Sequence, residues 1–308
     1  MARIAALLIY PLWLLSLWTN SSVHADIREI MIPVTDAFPT QMEIGKAHVE
    51  FSKKKILSRN PNLALSVPTR ALPGVIRPDG KIDITDGHHW ASAAQALAAE
   101  HPELAGQIKF RVEISADFTG RSWDDYARYL HDHGIGYFTP EVRALYEVMG
   151  LDGKKRIPAE KLAEMYRLYL PKTLGGLKNN PGRSVVGLAL EKMEISAEHD
   201  LVDYIEFYVV EDYKAEFKRL GVDFDGLQDP ALITETVEVK AMRIFATDSK
   251  MIAYVLERYR PGMDPGPARK HVLDAINHYR VEKLALRALD PAEVLSPSAC
   301  VEAKLASP

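Results

Sequence analysis

One cysteine, Cys300, is all the chain contains, so no internal disulfide can hold it together. That residue lies in the polar stretch Ser296-Pro-Ser-Ala-Cys300, a setting that argues against a catalytic thiol. Excess positive charge is also missing. Lysine and arginine number 38 against 42 acidic residues, a formal net charge of -4. This balance excludes a dedicated polybasic nucleic-acid binder. The short runs Lys53-Lys54-Lys55 and Lys154-Lys155-Arg156 read as solvated faces. Beyond residue 27 no apolar run is long enough to span a bilayer, and no internal repeat is evident.

What is present begins with a leader. Met1-Ala-Arg3 is a short basic start, Ile4 to Trp18 is an uncharged apolar run, and Thr19 to Ala25 is polar with small residues near its end. This pattern predicts a secretory signal peptide over 1–25, cleaved after Ala25. Export to the periplasm or beyond follows, without stable membrane association after cleavage. Removing Arg3 takes the formal charge from -4 to -5, so the mature chain is mildly acidic.

The chain from Asp26 onward reads as α+β. Glu29 to Val34 is a candidate strand, and Met42 to Leu57 carries apolar residues at helical spacing. Ala71 to Arg77, Pro78-Asp-Gly80 and Lys81 to Thr85 predict a β-hairpin. Ile108, Phe110, Val112 and Ile114 alternate strictly and predict the clearest strand. After Phe118 the character turns helical. Ser122-Trp-Asp-Asp125 predicts a capped helix to His131, and Ile157-Pro158 opens another to Leu170. Further helices are expected over 183–193, 201–220, 229–245, 249–259 and 267–286. The expected organisation is an α/β module over 26–118, a helical region over 119–290, and a disordered tail over 291–308.

The most informative stretch is Thr85-Asp-Gly-His-His-Trp90, between a predicted strand and a predicted helix. A glycine turn into a helix N-terminus aims unpaired backbone N–H groups, and the positive end of the helix dipole, at one point. Gly87 allows a sharp turn and close approach of a ligand. Asp86 is suited to holding an imidazole in one tautomer, to binding a metal, or to capping the helix. His88 and His89 point in different directions, so one lines a pocket while the other packs. His48, His101, His131 and His133 show no metal-ligand spacing. A protein-held metal is therefore the weaker expectation, and a divalent ion carried in by phosphate the alternative. Pro39 to Gly45, followed by Val49-Glu50 and Lys53-Lys54, offers Glu43 or Glu50 as a general base and a lysine to neutralise phosphate.

These pieces in combination resemble the ParB/sulfiredoxin superfamily, and within it the branch of ParB-like nucleases. The resemblance rests on Pro39-Thr-Gln41, Gly45, Val49, Thr85-Asp-Gly-His-His-Trp90, Pro181 to Lys192 and Tyr204-Ile-Glu-Phe207. It implies that Asp86, Gly87, His88 and His89 form a phosphate site, with Gln41, Glu43 and Lys46 facing it. Sulfiredoxins need a cysteine in the turn, which is absent here and excludes that repair chemistry. Trp90 stands where many relatives carry arginine, which removes a bidentate phosphate ligand. No helix-turn-helix DNA reader is recognisable in the helical half.

Three functions fit this reading. The first is a nuclease or other phosphodiester hydrolase, with histidine as acid or base. The second is a small-molecule kinase of the free amino acid type, with Glu43 as base. The third is a non-catalytic module for an anionic ligand. The expected partner in each is a phosphate-containing ligand, a nucleotide or nucleic acid among them.

Overall fold

The computed structural model describes residues 24–59, 71–103, 105–192, 204–259, 264–274 and 276. Most of the expected signal peptide and the whole expected tail lie outside these residues. A five-stranded mixed sheet forms the centre. Its strands are β1 (His24–Pro33), β2 (Ala37–Pro39), β4 (Leu72–Ile76), β5 (Ile82–Ile84) and β6 (Lys109–Asp117), in the order β1-β6-β4-β5-β2. β1 pairs antiparallel with β6, β6 parallel with β4, β4 antiparallel with β5, and β5 parallel with β2. The Asp-Gly hairpin forms as the sequence predicts, with Gly80 left-handed at φ 78° in its turn. A second, two-stranded sheet joins β3 (Glu43–Ile44) to β9 (Lys178–Asn179), and β7 (Val148–Met149) pairs with β8 (Lys155–Arg156).

Helices cover both faces of the central sheet. On one face lie α1 (Lys46–Arg59) and α2 (His88–Glu100), packed on Leu72, Ile84, Phe110, Val112 and Ile114. On the other lie α3 (Trp123–Asp132), α4 (Pro140–Tyr146) and α5 (Ala159–Tyr169), around Val75, Ala116 and Phe118. Alternation along the strands sorts the residues between these cores. Thus Ile82 and Ile84 of β5 pack with the α1/α2 face, while Asp83 between them contacts Tyr126 of α3. A third core gathers α6 (Pro181–Lys192), α7 (Ile205–Arg219), α8 (Glu235–Thr247), α9 (Ser249–Tyr259) and Ala268, Val272 and Ile276, with Phe51 of α1 inserted into it. The fold is mixed α+β.

Three local differences from the sequence reading have physical causes. His88 and His89 are the first residues of α2 and do not lie in the turn before it, because Gly87 alone makes the reversal. The helix expected over 229–245 is broken. Pro230–Leu232 is one 3-10 turn, and Thr234 then caps α8 by accepting the Val237 N–H. The helix expected from Leu201 begins at Ile205, after Tyr204 adopts φ 72°. Among the described residues, no helix is long and apolar enough to cross a membrane.

Candidate functional site at the start of helix α2

Gly87 is required on two counts. Its φ of 75° lies in the left-handed region, and a Cβ there would stand 2.5 Å from Leu72 Cδ2. The first helical hydrogen bond runs from the Ala91 N–H to the Gly87 carbonyl at 3.0 Å. The N–H groups of His88, His89 and Trp90 therefore have no acceptor within the helix. Asp86 is exposed at this end, and Gly87 and Trp90 are half-buried.

The two histidines are both buried, at 4% and 7% exposure, but in different company. His88 Nε2 accepts the Thr40 N–H at 3.2 Å and lies 3.3 Å from Thr40 Oγ1. That hydroxyl reaches the Ile84 carbonyl at 3.1 Å and the Tyr204 hydroxyl at 2.9 Å, and Tyr204 donates in turn to the Thr85 carbonyl. An acceptor at Nε2 fixes the proton on Nδ1, so the ring is neutral. Burial drives its pKa down to about 4, against the opposing pull of Asp86. His88 ties the loop before β3 to the end of β5. Tyr204 is the one non-glycine residue with positive φ among the described residues, which places strain where α7 is pinned to this network.

His89 turns the other way. Its ring packs against His48 of α1 with centroids 4.3 Å apart. Its Nε2 is buried and has no hydrogen-bond partner among the described residues. Burial first, then the charge of Arg183 and the neighbouring imidazoles, push its pKa well below the ordinary value. Arg183, in the first turn of α6, pairs with Glu206 of α7 at 2.5 Å and lies 5.6 Å over the Phe207 ring. Gly187, one turn further along, leaves the space into which this guanidinium folds. Gly45 permits the approach of α1 to α6, since a Cβ there would meet Ser184 backbone at 2.6 Å. Two imidazoles, a guanidinium and a helix N-terminus thus converge from three helices.

A model of the family described as "Putative ParB-like nuclease" matches residues 30–210, more than half of the chain. The chain belongs to the ParB-like nuclease family. The match spans α1, α2, α6 and the start of α7, the four elements that build this end. The crystal structure of protein Atu1540 from Agrobacterium tumefaciens is similar at 17% identity and a TM-score of 0.47, over 75% of this chain and 95% of that one. No curated protein matches the chain.

The remaining residues expected at the site of this ParB-like chain have local partners of their own. Gln41 is buried, and its Nε2 donates to the Glu43 carbonyl at 2.7 Å, so its amide serves its own loop. Lys46 is exposed at the start of α1, where its N–H is held by Asn179 Oδ1. Glu43 accepts from Asn180 Nδ2 at 2.8 Å. Burial first, then Glu141 and Glu211, raise its pKa. Glu211 in turn receives the Tyr137 hydroxyl at 2.7 Å and Arg143. The cluster of Tyr137, Tyr204 and Phe207 stands between this acidic group and His88. Glu50 and Lys53 pair with each other, and Lys53 also pairs with Glu100 at the far end of α2. That end lies about 18 Å along the helix from His88. Among the described residues, no group of three or more His, Cys, Asp or Glu is placed to hold a metal.

Arg183, Glu206, Thr40 and His48 enter this region through packing that the sequence alone does not display. Thr40, Arg183 and Glu206 fall within the family-like stretches Pro39-Thr-Gln41, Pro181 to Lys192 and Tyr204-Ile-Glu-Phe207, whereas His48 has no local signal.

Proposed function

We propose that the start of α2 binds the phosphate of a phosphodiester, and that this ParB-like chain hydrolyses it with His89 as the proton acceptor. The observation that carries this reading is His89 Nε2, buried without a hydrogen-bond partner among the described residues, on a ring that packs against His48 and feels the charge of Arg183. A buried polar atom left without a partner costs stability, so a function is the natural reason to keep one. An arriving phosphate changes the electrostatics in the useful direction. Its negative charge offsets Arg183 and raises the basicity of His89. Water can then attack phosphorus while its proton passes to Nε2, and the P–O bond to the leaving oxygen breaks. That oxygen takes a proton from solvent. Asp86 is the exposed carboxylate at the start of α2, suited to a divalent ion that travels with the phosphate. His88, neutral and tied to Thr40, is a positioning residue that fixes the turn.

The test is hydrolysis of plasmid DNA, RNA and bis(p-nitrophenyl) phosphate by the purified chain, with and without magnesium or manganese. His89→Gln is expected to lower the rate by about a hundredfold or more, the range for removal of a general base. Unchanged turnover in that variant would rule out the role. Burial of both rings favours a second reading, a module that binds the anion without turning it over. Thermal stabilisation by phosphate ligands with no hydrolysis of any substrate decides for it.

Export belongs to the same proposal. Cleavage after Ala25 removes only His24 and Ala25 from β1, and the pairs from Arg28↔Ile114 to Pro33↔Lys109 survive it. The mass of the protein recovered from the periplasm tests this, and an intact Met1 start there sinks it.

A further inference from the structure

The opposite face of β5 carries a concave site that the α2 end does not use. A cavity of about 390 Å³ opens between the β4–β5 hairpin, α3 and the end of α5. Its walls include Asp83, Arg77, Trp123, Arg167 and Lys172. Asp83 is buried, its side chain 4% exposed. Its Oδ2 accepts from the Tyr126 hydroxyl, whereas Oδ1 has no hydrogen bond and lies 3.7 Å from Arg77 Nη1. Burial raises the Asp83 pKa to about 6, with Arg77 pulling it back down. Arg77 is held between two rings, 5.2 Å from Phe38 and 5.1 Å from Trp123, so it is a fixed wall. Arg167 lies 5.7 Å over Trp123 and is exposed, and Lys172 is exposed beside it with its ammonium on the Arg167 carbonyl.

Each part asks for a particular chemistry. The buried acceptor on Asp83 calls for an N–H donor, the indole for a flat ring, and the two cations at the mouth for an anion. The volume is too large for inorganic phosphate alone and falls in the range of small-ligand sites. We propose that this cavity binds a nucleoside monophosphate, with an amino-bearing base on Trp123 and its donor edge at Asp83 Oδ1, and with the phosphate between Arg167 and Lys172. Arg167 leaves the indole face to reach the phosphate. The exchange is favourable because an exposed cation–π contact is weaker than base stacking. This site goes beyond the role given to α2 and does not depend on hydrolysis there.

The experiment is calorimetric titration of the full chain with GMP, AMP, UMP and inorganic phosphate. GMP and AMP are expected to bind saturably, and UMP and inorganic phosphate at least about tenfold more weakly, for want of the exocyclic amino group or of the base. Arg167→Ala with Lys172→Ala, both exposed, is expected to weaken GMP by about tenfold or more while leaving the melting temperature in place. His89→Gln is expected to leave GMP affinity unchanged. The proposal is overturned by no saturable binding at millimolar nucleotide, by inorganic phosphate binding as tightly as GMP, or by affinity lost in His89→Gln but kept in the double variant. That last result would move the nucleotide to α2 and leave the hydrolytic reading standing.

Discussion

The two faces of the short strand β5 solve the same difficulty in opposite ways. On the α1/α2 face, ionisable groups are made neutral: His88 and His89 are buried and hold no proton beyond the neutral ring. On the α3/α5 face a carboxyl is kept next to a cation, with Arg77 beside Asp83 and Tyr126 donating to it. Burial disfavours charge on either side. The difference lies in what surrounds the group. Around His88 stand hydroxyls and backbone, while around Asp83 stands a guanidinium clamped between aromatic rings. The first arrangement suits a group that must be fixed or must wait for a proton. The second suits recognition of a charged, planar ligand.

The comparison can be broken most severely at its glycines. Gly87→Ala puts a methyl group against Leu72 at a left-handed position, and is expected to cost about 3 kcal/mol or more in denaturant unfolding. Gly80→Ala in the hairpin on the other side has the same sign of φ, at 78°, but open space around it. It is expected to cost only about 1 kcal/mol. Equal costs at the two positions would remove the claim that the start of α2 is sterically fixed.

Next in size is the loss of a histidine. His88→Ala leaves the buried Thr40 N–H without its acceptor and opens a cavity, a cost of about 2–3 kcal/mol. His89→Gln removes no hydrogen bond among the described residues and is expected to cost less than His88→Ala, while the proposed role predicts the larger loss of turnover for it. A larger stability loss at His89 than at His88 would reverse the roles assigned to them.

The finest test is pH. The folded His88 pKa, about 4, lies below its ordinary 6.5, so the unfolded chain binds more protons between these values. Its contribution is complete above pH 6.5 and is lost as pH falls through about 4. Asp83 runs the other way. Its folded pKa, about 6, lies above 3.8, so its contribution is present at the acid end and is lost as pH rises through about 6. Melting curves at pH 5 and pH 8 separate the two. The advantage of Asp83→Asn over the parent chain is expected to grow by several degrees from pH 5 to pH 8. The deficit of His88→Gln is expected to grow over the same interval. Matching trends in Glu43→Gln and Asp83→Asn would be consistent, since burial raises both carboxyls.

Much of this protein is written locally. Strict alternation over Ile108 to Ile114 produced β6, Pro78-Asp-Gly80 produced the hairpin, and Ser122 capped α3 through the Asp125 N–H. Gly87 marked the turn into α2, and the family resemblance read from the sequence agrees with the match over residues 30–210. These features depend on contacts within a few residues, so a linear reading reaches them. The short helix α4 and the hairpin of β7 with β8 escaped it, being too brief for a period to show.

Side-chain surroundings are another matter. Whether an imidazole is charged depends on what buries it. For His88 that is Thr40, 48 residues away, and Tyr204 at the cap of α7. The charge of Arg183 acts on His89, and Arg167 lies over Trp123, only because separate helices pack together. The order of residues along the chain determined the elements and the motif. The packing of those elements decided which groups lost water, and desolvation sets both proton affinity and the chemistry that remains possible.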